Sequence, residues 1–271
     1  MASQEDALVE SVAPYPPAQQ ADQPFWFPWG RTPPSAIPAA GKTVARQSDL
    51  VRESLQRLIR GDGLRAADAL PSERVLSIAY NVARGSVRAA LLRLREQGIV
   101  RIAHGQATRV MGRPPSWALG ADITVDARCG QGEWNAAVHR AKAGVDAASF
   151  DVEKQPAHRA LLDSYVAALH LLNTEESAST AVIAIDICHR CIVETSPLPL
   201  RAVLHEALQC MPLHVLRDAL DAGLCAEHIH MKLWVLQASW VDRNCDGTKV
   251  ALLEYLTLIE TLCSHGARSA A

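Results

Sequence analysis

Apolar residues recur at helical spacing in three successive segments of the first half of the chain. The first helix is expected from Ser48, a suitable N-cap, to Gly61. A second opens at Pro71-Ser72, and a third runs from about residue 84 to residue 97. The residues expected to share one core are Leu50, Val51, Leu55, Leu58, Ile59, Val75, Leu76, Ile78, Ala79, Val87, Ala90, Leu91 and Leu94.

The pattern changes after the third helix and then becomes helical again. Residues 99–103 and 107–111 flank Gly105 and predict a small β-hairpin, and the Gly-Arg-Pro-Pro stretch at 112–115 predicts a linker. Beyond it we expect about six or seven helices, because no alternating strand pattern competes. The clearest periodic segments are 158–172, 178–195, 199–220, 227–241 and 247–263.

The predicted fold class is therefore mainly α, with an N-terminal winged helix-turn-helix (α plus a small β wing) and a C-terminal all-α helical bundle. Residues 1–41 are rich in Pro and Ala and predict a disordered tail, in which the aromatic segment Phe25-Trp26-Phe27-Pro28-Trp29 docks either on the protein itself or on a partner. Residues 42–113 form the predicted winged domain, 114–128 the linker and 129–265 the helical domain.

Charge is distributed unevenly between these domains. Residues 42–113 contain 14 Lys and Arg against 6 Asp and Glu, although the whole chain has a net charge of −2. A basic module joined to an acidic one favours nucleic acid as the partner of the first. All seven cysteines follow residue 128, and an odd count without a secretory signal predicts reduced thiols in the cytoplasm. No apolar run is long enough to span a membrane.

One stretch carries a dense, ordered motif: LPSERVLSIAYNVARGSVRAALLRLREQGIVRIAHGQATRV, Leu70 to Val110. It resembles the DNA-binding domain of the GntR family of bacterial transcriptional regulators, in which a Leu-Pro-Ser-Glu-Arg turn leads through two helices into a wing. The His104-Gly105 pair in the wing is most similar to the fatty-acid-responsive subgroup of that family.

The resemblance implies a DNA site on the second helix, the third helix and the wing. The residues that it assigns to DNA are Arg74, Arg84, Gly85, Ser86, Arg88, His104 and Gly105. Arginines suit phosphate and guanine, Ser86 is expected to donate to phosphate, and Gly105 allows close approach of the wing. Two positions depart from many relatives, since Ala83 and Gly85 stand where hydroxyl residues are common. Ala83 removes a helix cap that is worth about 1 kcal/mol.

The helical half is similar to the FCD-type ligand domain found in this family, on the strength of the stretch from Asp186 to Leu200 and the Asn-Cys-Asp at 244–246. The family's metal-binding pattern is not reproduced, so we expect neither a metal site nor a cofactor. The candidate effector-binding residues are Asp186, His189, His205 and Trp234. Two metal sites are less favoured alternatives. Zinc at Cys188-x-x-Cys191 lacks the second pair of ligands that a structural zinc usually needs, and His228 and His230 do not share a face of their helix.

These features predict a homodimeric regulator that binds double-stranded DNA at a pseudo-palindromic operator and responds to a small organic acid or acyl compound. No catalytic constellation is present, so an enzyme is not expected. A second hypothesis stays open: the winged helix is an architectural or protein-interaction module, and the helical domain only dimerises and senses no ligand.

Overall fold

A computed structural model describes residues 44–103, 105–112, 131–148, 156–174, 177–223 and 226–269, all of which belong to one compact unit. The predicted tail 1–41, with its aromatic segment, and the linker 114–128 lie outside the described residues. Within the described residues the fold is mostly helical, with a single two-stranded sheet, and this confirms the predicted fold class. None of the described helices combines the length and the apolar composition needed to cross a bilayer.

The N-terminal part contains helices α1 (Val44–Arg60), α2 (Glu73–Ala79) and α3 (Arg84–Glu96). Their common core includes Leu55, Leu58, Leu91 and Leu94, none of which is more than 2% exposed. The prediction that Ile78 faces this core was wrong, because its side chain is 45% exposed on α2. The prediction that Ser48 caps the first helix was wrong. Ser48 lies one turn inside α1, where its hydroxyl donates to the Ala45 carbonyl at 2.9 Å.

The starts of α2 and α3 follow the local sequence. Ser72 is the N-cap of α2, and its Oγ accepts a hydrogen bond from the Val75 amide at 3.3 Å. Ala83 occupies the same position before α3 and has no side-chain cap. The first turn of α3 therefore lacks the capping bond that α2 has.

The wing is a hairpin of β1 (Val100–Arg101) and β2 (Arg109–Val110), in which Val100 pairs with Val110 and Arg101 with Arg109. The strands are shorter than predicted. The other edge of β2 bonds to the loop before α2, since the Leu70 amide donates to Thr108 and the Val110 amide to Asp68. The wing is thereby attached to the body of the domain on that side.

The C-terminal part contains seven helices within the described residues. They are α4 (Gln131–Ala147), α5 (Pro156–Thr174), α6 (Ala178–Thr195), α7 (Leu198–Gln209), α8 (Leu213–Asp221), α9 (Ala226–Val241) and α10 (Cys245–Ser269). Helix α6 is the central one, because it is buried on all sides from Ser179 to His189. The single helix predicted for 199–220 is two helices, α7 and α8. Pro212, which has no amide hydrogen, ends the continuous ladder and becomes the N-cap of α8.

The two parts are packed directly against each other. A Cβ on Gly63 would lie 3.0 Å from Val182 and 3.2 Å from Leu213, so the loop after α1 approaches helices α6 and α8 closely at this glycine. Arg217 of α8 donates to the Gly63 carbonyl and, through two nitrogens, to the Asp68 carboxylate at 2.6 and 3.1 Å. This contact joins α8 to the loop that supports the wing.

Candidate nucleic-acid interface and junction cavity

Three predicted DNA-binding arginines are exposed on the helix-turn-helix. Arg74 lies on α2, and Arg84 and Arg88 lie one turn apart on α3. The two helices are joined by a short turn in which Asn81 adopts a positive φ of 51°, a conformation that Asn tolerates better than most residues. Gly85 is also exposed, and a Cβ there would meet no atom within 4 Å. The start of α3 is therefore open to an approaching phosphate, with its first amides free of intrahelical acceptors.

Arg88 has an acidic partner on the preceding helix. Its Nε and Nη2 donate to the Glu73 carboxylate at 2.9 to 3.2 Å, although 68% of the side chain is exposed. The hydrogen bonds to Glu73 raise the pKa of the guanidinium. The pair links Arg88 of α3 to Glu73 of α2, and most of the Arg88 side chain stays exposed to solvent.

Ser86 does not lie on the exposed side of α3, where the sequence suggested that it would face DNA. Its side chain is fully buried, and its hydroxyl donates to Oε1 of Gln47 on α1 at 3.1 Å. The third position of α3 faces the core rather than the groove. In this structure the Ser86 hydroxyl therefore bonds Gln47 and fixes α3 on α1, and its contact with phosphate stays a prediction.

The wing presents further basic groups. Gly105 is exposed with φ +69°, the left-handed turn that the predicted tip requires, while His104 lies outside the described residues. Arg101 and Arg109 are exposed and opposite each other in the hairpin, and Arg109 also donates to the Ala67 carbonyl. The sequence interpretation left out Arg109 as a contact. The alternation of buried valine and exposed arginine on both strands was the signal that could have identified it.

Only two of the four predicted effector residues share a site. A cavity of about 430 Å³ lies between α1 of the winged domain and α6 and α7 of the helical domain. We refer to it as the junction cavity; its lining includes Ser54, Arg57, Asp186, Arg190, His205 and Gln209. Asp186 and His205 therefore share one site. His189 and Trp234 do not line it: His189 is buried, and Trp234 is half-buried on α9.

Asp186 links the cavity to the helix-turn-helix. It is only 5% exposed and forms an ion pair with Arg57, and it accepts a hydrogen bond from the Ser54 hydroxyl at 2.5 Å. Because the Ser54 proton is used in that bond, the Tyr80 hydroxyl, at 2.7 Å from Ser54 Oγ, donates to Ser54. Tyr80 is the C-cap of α2 and is buried beneath Arg190, whose guanidinium carbon lies 5.6 Å from the ring centroid.

His189 is a core residue. Its Nε2 lies 2.5 Å from the Tyr255 hydroxyl, and its ring also hydrogen-bonds the Leu208 backbone. Burial lowers the pKa of His189 to about 3, an effect that the nearby Arg57 charge reinforces. The ring is therefore neutral at neutral pH and holds α6, α7 and α10 together. Within the described residues, no group of three His, Cys, Asp or Glu side chains is placed to hold a metal ion.

Known proteins resemble the winged part of this chain. Residues 47–110 match the bacterial regulatory proteins of the gntR family. The HTH-type transcriptional repressor NanR of Cronobacter sakazakii is 34% identical over 96 residues, which are 33% of this chain and 36% of that protein. NanR of Enterobacter sp. is 44% identical over 63 residues, 23% of this chain and 24% of that protein.

The chain thus spans about a third of the first relative and about a quarter of the second. A solved GntR-family transcriptional regulator from Pseudomonas syringae pv. tomato is similar at 17% identity, with a TM-score of 0.37, over 84% of this chain and 89% of that one. The match covers the whole helix-turn-helix and wing, so residues 47–110 are similar to the bacterial regulatory proteins of the gntR family.

Proposed function

We propose that this protein is a transcriptional regulator that binds a pseudo-palindromic operator as a homodimer and is controlled by a small organic acid or acyl ligand. The observation that carries the DNA-binding part is the exposure of Arg74, Arg84 and Arg88 on the two helices of a gntR-family domain. The names of the relatives as repressors favour repression over activation.

The three arginines have different expected roles. Arg84 and Arg88 project from the start of α3, the helix that enters the major groove in this type of motif, where arginine pairs with guanine O6 and N7. Arg74 lies on the helix that crosses the DNA backbone and is suited to phosphate. Arg101 and Arg109 on the wing add two cations for the neighbouring groove.

The dimer proposal follows from the geometry of operators rather than from a contact in the chain. One helix-turn-helix reads only a half-site, and a two-fold dimer reads two half-sites in opposite orientation. We place dimerisation and ligand control in the helical domain, 129–265. No membrane association is proposed.

The first experiment is selection of bound duplexes from a random DNA pool by the full chain at two salt concentrations. The expected result is an enriched pseudo-palindrome whose binding weakens steeply with salt, because each phosphate contact releases counterions. Arg88→Ala is expected to cost about 1–3 kcal/mol at one base position, and Arg74→Ala to weaken all sequences alike.

Arg140→Ala is the matched control. Arg140 is an exposed, ion-paired arginine like Arg88, but it lies on α4 and pairs with Glu206. It should leave selection and affinity unchanged. Binding without sequence preference would overturn the operator proposal and favour the architectural or protein-interaction module.

A further inference from the structure

The helices that carry the predicted DNA-binding arginines also carry a carboxylate. Glu73 is the first residue of α2, directly after the N-cap Ser72, and its side chain is partly exposed. Within the described residues Glu73 pairs with Arg88, whereas Arg74 and Arg84 form no ion pair. DNA is a polyanion, so a negative charge at this place weakens binding to every sequence. Its presence beside one of the three arginines therefore needs an explanation.

The contact between Glu73 and Arg88 uses one edge of the guanidinium group. Nε donates to both carboxylate oxygens at 3.2 Å, and Nη2 donates to Oε2 at 2.9 Å. A guanidinium has five N–H donors in a planar fork. Glu73 leaves Nη1 and the second proton of Nη2 available, and these supply the two donors that a bidentate pair with guanine O6 and N7 requires.

We propose that Glu73 is a specificity-determining residue of the DNA interface, because it holds the Arg88 guanidinium with its Nη1–Nη2 edge available to a guanine and opposes the use of that group on phosphate. The proposal rests on the proposed regulator function and replaces a single base-reading arginine by a pair of residues. Glu73 acts through Arg88 and is therefore a positioning residue.

The pair favours specificity over affinity for two physical reasons. An unpaired arginine has many rotamers and binds any phosphate within its reach, which adds affinity for every sequence. A paired arginine has its fork oriented before DNA arrives, so less conformational freedom is lost at the base contact. The Glu73 carboxylate also offsets the attraction of the Arg88 charge for phosphate. Specificity is the difference between two affinities, and both effects increase that difference.

A structural role for Glu73 gives different expectations. An acidic residue in the first turn of a helix interacts favourably with the helix dipole, and Glu73 has that position in α2. If this were its whole role, removal of the charge would destabilise α2 and weaken binding to all duplexes alike. Positioning of Arg88 instead requires a loss of discrimination at one base pair and a gain in affinity for unrelated DNA.

The test compares the full native chain with Glu73→Gln, which keeps the size of the side chain and removes its charge. Affinities are measured for the selected operator, for operators with each base pair changed in turn, and for an unrelated duplex. Arg88→Ala identifies the position that Arg88 reads. At that position Glu73→Gln should reduce the discrimination between guanine and the other bases about threefold or more, while other positions keep theirs.

The salt dependence of binding gives a second readout. Without the carboxylate, Arg88 is free to contact a phosphate, so Glu73→Gln should bind the unrelated duplex several-fold more tightly. The slope of log affinity against log salt concentration should become steeper by about 0.9, the value for one additional phosphate contact. A loss of helix stability alone produces neither change.

The matched control is Glu206→Gln, which removes the carboxylate from the exposed pair with Arg140 at 2.7 Å, on the helical domain. It should change neither discrimination nor salt dependence. In the double variant Glu73→Gln/Arg88→Ala, discrimination at the Arg88 position should equal that of Arg88→Ala alone. Unfolding midpoints show whether each variant is folded.

The proposal is overturned if folded Glu73→Gln keeps native discrimination at the Arg88 position, if it weakens all duplexes alike, or if its effect on discrimination persists without Arg88. A chain that selects no operator refutes the proposed function and this inference with it. A chain that selects an operator and reads one base pair with Arg88, but is unaffected by Glu73→Gln, loses this inference alone.

Discussion

Replacement of Arg217 by Met tests the contact that joins the two parts of the protein. The change keeps the aliphatic stem and removes the charge and the donors. Side-chain exposure is only 10% for Arg217 and 15% for Asp68, and two charge-assisted hydrogen bonds link them at 2.6 and 3.1 Å. Arg217→Met therefore leaves a largely buried carboxylate without its main partner.

The size of the loss follows from that burial. Removing one partner of a buried ion pair costs about 3–5 kcal/mol. Asp68 keeps a hydrogen bond from the Arg65 amide at 2.7 Å, so the lower end applies. We expect Arg217→Met to reduce the free energy of unfolding by about 3 kcal/mol, which shifts a urea midpoint by about 1 M at an m-value near 3 kcal/mol/M.

The assay is urea denaturation of the native chain, Arg217→Met, Asp68→Asn and the double variant. A coupling energy of about 1 kcal/mol or more is expected from the cycle. The exposed pair between Arg140 and Glu206 has nearly the same distance, 2.7 Å, with exposures of 55% and 52%, so Arg140→Met should cost less than about 1 kcal/mol. Equal losses for the two arginine variants, or additive losses in the cycle, would refute the reasoning.

The same pair predicts the sign of a pH effect. Burial by itself would raise the pKa of Asp68, but the hydrogen bonds from Arg217 and from the Arg65 amide outweigh it and lower the pKa. A carboxyl with a lowered folded-state pKa stabilises the protein above its unfolded value, and this stability is lost as the pH falls through the folded value. The difference between the native chain and Asp68→Asn should therefore shrink in acid.

The remaining predictions concern single residues. Ala83→Ser should stabilise the protein by about 1 kcal/mol, since this N-cap already has the extended conformation in which Ser72 accepts a hydrogen bond. Gly85→Ala should stabilise by about 0.5 kcal/mol and Gly105→Ala should destabilise by about 1 kcal/mol, both measured by urea denaturation. A Cβ meets nothing at either glycine, but only Gly105 has a positive φ. For His189, whose folded pKa is about 3, stability should fall by about 2 kcal/mol between about pH 6.5 and pH 5, because the unfolded state takes up the proton.

Controls for these predictions use neighbouring positions of the same chain. Ser72→Ala should lower the free energy of unfolding by about as much as Ala83→Ser raises it. Equal effects of alanine at Gly85 and Gly105 on that free energy would contradict the role assigned to the positive φ of Gly105. His189→Gln should show a smaller acid loss than the native chain, whereas the exposed His214→Gln should match the native chain. An acid loss in His189→Gln as large as in the native chain would show that other groups cause it.

Local signals predicted the winged domain well because its elements begin and end at residues with strong backbone preferences. Ser72 caps α2, and a glycine provides the positive φ that the wing requires. The same type of reasoning failed at Ser48, which is equally suited to a cap but lies inside α1. It also missed the break between α7 and α8, although Pro212 stands at that position.

The sequence by itself predicted most of the helices, the wing and the basic motif that contains Arg74, Arg84 and Arg88, because periodicity, caps and turns act over a few residues. Only the tertiary structure decided which side chains meet. Ser86 donates a hydrogen bond to Gln47, which is 39 residues away in the sequence. Ser54 donates one to Asp186, which is 132 residues away in the sequence. Helix α6 is apolar on nearly all sides, so its sequence does not indicate which face turns towards α1. The packing of whole helices determines which face of α6 turns towards α1. It places Asp186 in the junction cavity and His189 in the core.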